Sequence, residues 1–249
     1  MKAFWEIANE DVLRWTDFVQ ENKNKALPRA RRRRNVKRIN LDISKQAIWG
    51  ALVGCQVTTQ QKSGPGSKVA KFLDSESPVL DLRACIAEKN LEPMISTACK
   101  KAGLRRNDTI ANNLVCILEN LESGEWEPLL SALETIRTHT TLKKEQEVVS
   151  YILRGGKFPG LGQKQARNFI QWLGLSRYEI PLDSRVLKKM KQLGASFVPK
   201  GAALVDETVY LFVQSSLQQL SEKLGLYPCE LDACIFASFD VERDQDVGD

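Results

Sequence analysis

Apolar side chains recur along almost the whole chain at three- and four-residue intervals, and runs that alternate apolar with polar are nearly absent. A period near 3.6 places such residues on one stripe of a helix, so the pattern predicts an all-α protein of ten to twelve helices. In "FWEIANEDVLRWTDFV" the positions Phe4, Ile7, Val12, Trp15, Phe18 and Val19 fall roughly on one side. "SKQAIWGALVGCQVTTQQ" reads as the next helix, with Ser44 as its N-cap. "SGPGS" breaks the chain before "KVAKFL", and five more amphipathic segments carry the pattern from residue 79 to residue 155. Beyond them come "QKQARNFIQWLGL", "DSRVLKKMKQLG", "DETVYLFVQSSLQQLSEKLGL" and "CELDACIFASF". The tail "DVERDQDVGD" is acidic and poor in apolar residues, and is expected to fray.

Hydrophobic residues make up 43% of the 249 positions and charged residues 27%, an ordinary balance for a chain with a sizeable core. The formal net charge is only +5, but Arg29, Arg31, Arg32, Arg33, Arg34, Lys37 and Arg38 fall within ten residues. Such a run is a footprint for a polyanion, most often nucleic acid, or else a solvated linker or localisation signal. Six cysteines at 55, 85, 99, 116, 229 and 234 include no C-x-x-C pair, so no zinc or iron–sulfur site is expected. The first four lie in apolar runs and read as reduced, small hydrophobes, which suits a reducing compartment, cytoplasmic or nuclear. "MKAFWEIANED" lacks the continuous apolar core of a signal peptide, and no stretch approaches the roughly 18 apolar residues that span a membrane. His139 is the single histidine, which removes HExxH metal sites and serine–histidine triads.

The stretch "KFPGLGQK", residues 157 to 164, sets a proline and two glycines directly before an amphipathic segment. Ala166, Phe169, Ile170 and Leu173 form its apolar stripe, and Lys164 lies off that stripe in the first turn. There the positive end of the helix dipole disfavours an ammonium, and a residue chosen for stability is Asp or Glu. Lys164 is either a solvated surface lysine or a nucleophile that works as the neutral amine. Pro159, Gly160 and Gly162 allow a compact turn whose free amides can hold a phosphate, or serve as a plain connector. "IPLDSRV" follows, with Asp183 nineteen residues after Lys164 at the start of another helix. A carboxylate there caps the helix, and one so fixed is also placed to act on a neighbouring site.

"FPGLGQKQA" followed by "IPLDSRV" resembles the helix–hairpin–helix plus Gly/Pro-Asp signature of the base-excision DNA glycosylase superfamily, which includes endonuclease III and the 8-oxoguanine DNA glycosylases. Its bifunctional members carry a hairpin of the form leucine-proline-glycine-valine-glycine-x-lysine and an aspartate in a valine-aspartate-x-histidine type motif. Lys164 falls on the catalytic lysine and Asp183 on the catalytic aspartate. "ALVGCQVTTQQ" resembles the early family helix that puts Gln60 into the gap left by an extruded base, and "CELDACIFASF" resembles a C-terminal helix of some archaeal-type 8-oxoguanine glycosylases. Phe158 replaces the usual leucine, and Arg185 stands where a histidine is common. The four-cysteine cluster of endonuclease III is missing, which favours cluster-free relatives.

The resemblance implies two helical lobes with a DNA cleft between them: a central lobe over residues 46–174 and a second formed by 1–45 with 175–249. It implies a monomer acting on double-stranded DNA with a damaged base, without cofactor or metal. Gly160, Gly162, Lys157, Gln163 and Arg185 would grip the DNA backbone, and Gln60 would fill the vacated space. Asp232 and Phe236 are candidates for the base pocket, with a core role for Phe236 as the alternative. Lys164 would attack the sugar, and Asp183 would stabilise its developing positive charge. 8-Oxoguanine is the favoured lesion; oxidised pyrimidines and other modified bases stay open, as does a non-catalytic helix–hairpin–helix binding protein.

Overall fold

A computed structural model of the chain describes residues 4–241, so all but the first two residues of the acidic tail lie outside the described residues. Among these the protein is all-α, with thirteen α-helices and no strand. They are α1 (Asn9–Asn22), α2 (Ala26–Arg31), α3 (Lys45–Val57), α4 (Lys68–Leu73), α5 (Leu82–Ala87), α6 (Leu91–Lys101) and α7 (Asn107–Asn120). Then follow α8 (Trp126–Thr138), α9 (Leu142–Leu153), α10 (Gln163–Trp172), α11 (Ser184–Gln192), α12 (Glu207–Lys223) and α13 (Pro228–Val241). No described helix is long and apolar enough to cross a membrane. Two compact units divide the chain. The first holds residues up to Leu41, Thr140–Gln146 and the chain from Gly174, and the second holds Asp42–His139 and Glu147–Leu173.

The count exceeds the expected ten to twelve because the arginine run itself is helical. It forms α2 and a π-helical turn at Arg32–Val36. Arginine is a good helix former, and here it also has partners. On α13, Asp232 meets Arg31 at 3.3 Å and Glu230 meets Arg32 at 2.6 Å. Two of the seven basic residues of the run thus form an internal clasp, while Arg29, Arg33, Arg34 and Lys37 remain exposed. Phe4 also departs from expectation: α1 begins only at Asn9, and Phe4 lies before it, 81% exposed.

In the second unit the apolar face of α3 buries Ile48, Trp49, Leu52 and Val53 completely. Ser44 caps that helix as expected, its hydroxyl accepting from the Ala47 amide at 3.2 Å. Trp172 of α10 lies so close to α3 that a Cβ on Gly54 would sit 1.6 Å from its ring. Only glycine permits that approach. Ala166, Phe169, Ile170 and Leu173 are all buried, as their spacing predicts.

In the first unit, Val186, Leu187 and Met190 of α11 enter a core with Trp15, Phe18, Tyr210, Leu217 and Ile235. The irregular segment between α10 and α11 is buried for much of its length, so its backbone polar groups need partners. Glu145, fully buried in the first turn of α9, supplies most of them. Its carboxyl oxygens accept five hydrogen bonds, from the amides of Arg177, Tyr178 and Glu179 and the hydroxyls of Thr140 and Ser176, at 2.7–2.9 Å. Gln214 accepts from the Ile180 amide at 3.2 Å. The Tyr210 hydroxyl donates to the Ile180 carbonyl at 2.9 Å and accepts from the Leu182 amide at 2.7 Å. The chain thus reaches Asp183 with its path fixed residue by residue.

A Glu145→Gln protein puts an amide donor among these donors. The expected loss is about 2–4 kcal/mol, since each stranded buried donor costs about 1–3 kcal/mol. Urea unfolding measures it; a midpoint within error of the parent's would show that Glu145 does not hold the segment.

Candidate active site

The hairpin belongs wholly to the second unit. After α9 the chain makes a 3₁₀ turn at Arg154–Gly156 and reverses, with Phe158 and Leu161 buried as its apolar feet. Its carbonyls are turned inward and taken up by side chains. Gln56 of α3 donates to the Pro159 carbonyl at 2.7 Å, and its own carbonyl accepts from Asn113 of α7 at 3.0 Å. Asn120, seven residues along α7, donates to the Lys157 carbonyl at 2.9 Å. Gly160 carries a left-handed φ of +81°, and a Cβ there would lie 2.5 Å from both Gln56 and Asn113. Gly162 is different: it precedes α10 with φ −80°, and a Cβ there would meet nothing within 4 Å.

These two glycines give a paired expectation. Gly160→Ala forces alanine into the left-handed region and against the amides that hold the turn. The backbone part alone costs about 1–2 kcal/mol. Gly162→Ala stays within about 0.5 kcal/mol of the parent, having ordinary φ and open space. Thermal melts of the two variants side by side check this, and equal destabilisation would contradict it.

Past Gly162, α10 opens with no acidic residue in its first turn. Its leading amides have no partner within the helix, and the dipole adds positive potential. An anion can be held there by backbone alone. Lys164 sits in this turn, half-buried; among the described residues its Nζ makes no hydrogen bond or ion pair. Below it lies Cys55, whose thiol is pushed far up by burial, with the neighbouring Lys164 charge pulling the other way. Cys55 is therefore a packed, unreactive thiol.

The other hairpin candidates are placed less simply. Lys157 already has partners: its Nζ pairs with Glu125 at 2.8 Å and lies 5.1 Å from the Tyr151 ring centroid. Burial works against the Glu125 charge, yet the hydrogen bonds from Lys157 and Tyr151 prevail and hold its carboxyl below the usual range. Gln163 turns its side-chain carbonyl to Arg167 at 2.7 Å. Gln60 is exposed just beyond α3, with a left-handed φ of +58° that a non-glycine residue rarely adopts.

The first unit carries the other half of the predicted constellation. Asp183 caps α11, with Oδ1 accepting from the amides of Arg185 at 2.8 Å and Val186 at 3.1 Å. Its Oδ2 meets the Arg185 Nε at 3.3 Å, and the Arg185 guanidinium lies 3.8 Å from the Phe236 ring centroid. Asp183, Arg185 and Phe236 are therefore brought together, with Phe236 carrying the arginine. Asp232 is set apart from them in role: it is 2% exposed and paired with Arg31.

Sequence reasoning missed the side chains that hold these elements. Gln56 was visible as the one polar residue between Ile48 and Val57, and Asn113 and Asn120 share a helix face at a spacing of seven. Glu145, Tyr210 and Gln214 left no comparable signal.

No family model matches the sequence, and no curated protein shows significant similarity to it. Solved structures do resemble it. The 8-oxoguanine DNA glycosylase of Methanocaldococcus jannaschii aligns with a TM-score of 0.68 at 16% identity, over 92% of this chain and 96% of that one. That of Thermotoga maritima aligns with a TM-score of 0.65 at 19% identity, over 91% and 95%. The Methanocaldococcus jannaschii 8-oxoguanine glycosylase/lyase in complex with a 15mer DNA containing 8-oxoguanine gives 0.63 at 15% identity, over 88% and 94%. The chain has the fold of these 8-oxoguanine DNA glycosylases.

Proposed function

We propose that this protein is a DNA glycosylase that excises a damaged base, with 8-oxoguanine the favoured lesion, and cleaves the strand through a lysine Schiff base. The observation that carries the reading is Lys164: a half-buried lysine with no ion-pair partner among the described residues, in the first turn of a helix that follows a rigidly held glycine hairpin. A surface lysine kept for solubility has no need of such a scaffold. The fold shared with 8-oxoguanine glycosylases, one of them bound to DNA containing that lesion, supports the same reading.

A base inside a duplex is beyond reach, so the nucleotide must be swung out, which costs a few kcal/mol. The amides around Gly160 and Gly162 grip the backbone phosphate, Lys157 being occupied by Glu125. Gln60 fills the vacated position. The Lys164 amine attacks C1′ of the deoxyribose, and the C1′–N bond breaks with its electron pair leaving on the base. Ring opening gives the Schiff base. Loss of a C2′ proton then expels the 3′ phosphate by β-elimination, and water releases the lysine. Asp183 stabilises positive charge on the sugar and assists these proton transfers; the reading pairs it with Lys164 on their order and spacing in the sequence.

Single-turnover assays on duplexes carrying 8-oxoguanine, an oxidised pyrimidine, uracil or hypoxanthine test the function. The expected result is release of 8-oxoguanine with a strand break at its site. Binding without excision from any lesion would make the chain a non-catalytic DNA-binding protein.

A further inference from the structure

The helix that carries Lys164 buries polar as well as apolar side chains. Gln165 is 5% exposed and Asn168 8%, beside the apolar stripe rather than opposite it in solvent. The Gln165 amide uses both ends. Its Nε2 donates to the Thr59 hydroxyl at 2.7 Å, with the Thr58 hydroxyl at 3.4 Å, and its Oε1 accepts from Asn168 at 2.7 Å. Its backbone carbonyl accepts from the Cys55 thiol at 3.5 Å. Three residues at the end of α3 thus converge on one residue of α10.

Thr58 and Thr59 are themselves folded back, their hydroxyls donating to the Gly54 carbonyl at 2.8 Å and the Cys55 carbonyl at 2.9 Å. Directly after them stands Gln60 in its left-handed conformation, which persists only where the surroundings over-determine it. Thr59 precedes Gln60 and Gln165 follows Lys164, so one hydrogen bond of 2.7 Å separates the two flanking residues. A fully satisfied buried network of this kind is rigid, and a half-satisfied one is worse than an apolar contact.

We infer that Gln165 is a positioning residue that locks the Gln60 turn to the Lys164 helix, so that the element filling the gap in the duplex and the attacking amine move as one piece. The inference rests on the glycosylase reading of Lys164 and Gln60. It assigns Gln165 no contact with substrate. Its effect falls on substrates that need a base displaced, and much less on those that do not.

The test compares Gln165→Met and Thr59→Val, which break the same hydrogen bond from opposite ends with little change of volume. Each is assayed for excision from duplex 8-oxoguanine DNA and for β-elimination at an abasic site in a single strand, where no partner base resists. Both variants are expected to lower the duplex rate relative to the single-strand rate by about ten- to a hundredfold, the range for a small misplacement of reacting groups. In a Gln60→Ala background, Gln165→Met is expected to add almost nothing to that ratio, because the turn it holds no longer carries its side chain. Equal losses on both substrates, no loss on either, a Thr59→Val protein unlike Gln165→Met, or an additive double variant would each overturn the assignment. A parent protein inactive on both substrates would instead overturn the glycosylase reading beneath it.

Discussion

A Lys164→Gln protein folds, still binds damaged duplex and forms no covalent adduct when borohydride is added to the reaction. The folding half follows from what Lys164 touches. Among the described residues its Nζ has no hydrogen bond or ion pair, so its removal strands no partner. It stands in the first turn of α10, where a positive charge opposes the helix dipole by a few tenths of a kcal/mol. Stability should therefore stay within about 0.5 kcal/mol of the parent or rise slightly. The binding half follows from the hairpin, whose shape is set by Gln56, Asn113 and Asn120 and not by the lysine. The catalytic half is absolute, because no other amine takes the place of the nucleophile in a Schiff base. A variant that melts early instead would make Lys164 a structural residue.

Asp183→Asn is expected to lower single-turnover excision by about 10²- to 10⁴-fold, the usual range for removing a positioned acid–base group. Asparagine is as good an N-cap as aspartate, and its carbonyl can accept from the amides of Arg185 and Val186 as Oδ1 does now. The cap survives while the charge is lost. The Arg185 side chain then loses its carboxylate partner but keeps the Phe236 ring beneath it. The pairing of unchanged melting with a large rate loss separates chemistry from capping. Unimpaired excision by Asp183→Asn would reduce Asp183 to a cap.

Much of this architecture was legible in the chain. Helical stripes such as Ala166, Phe169, Ile170 and Leu173 are periodic, and the buried face of α10 follows from the spacing alone. Caps are local too, and Ser44 and Asp183 act as their positions suggest. Part of the arginine run has a second role that charge density cannot show, because its partners lie about two hundred residues away. Arg31 and Arg32 find Asp232 and Glu230 only once α13 is in place. The same holds for the hairpin: the pairing of Lys157 with Glu125 is not visible in the sequence. Glu145 was invisible for a related reason. Its backbone donors lie more than thirty residues along the chain, and amides leave no trace in a sequence. Polar side chains that hold irregular backbone obey no period, and they are what turns a recognisable motif into a fixed geometry.

The central claim is that Lys164 is the amine that bonds to the sugar. Incubating the parent protein with an 8-oxoguanine duplex under borohydride, digesting the trapped complex and locating the modified residue by mass spectrometry tests it directly. The adduct is expected on Lys164 alone. A modification on Lys157 or any other amine, or trapping absent while the base is still released, would contradict the account.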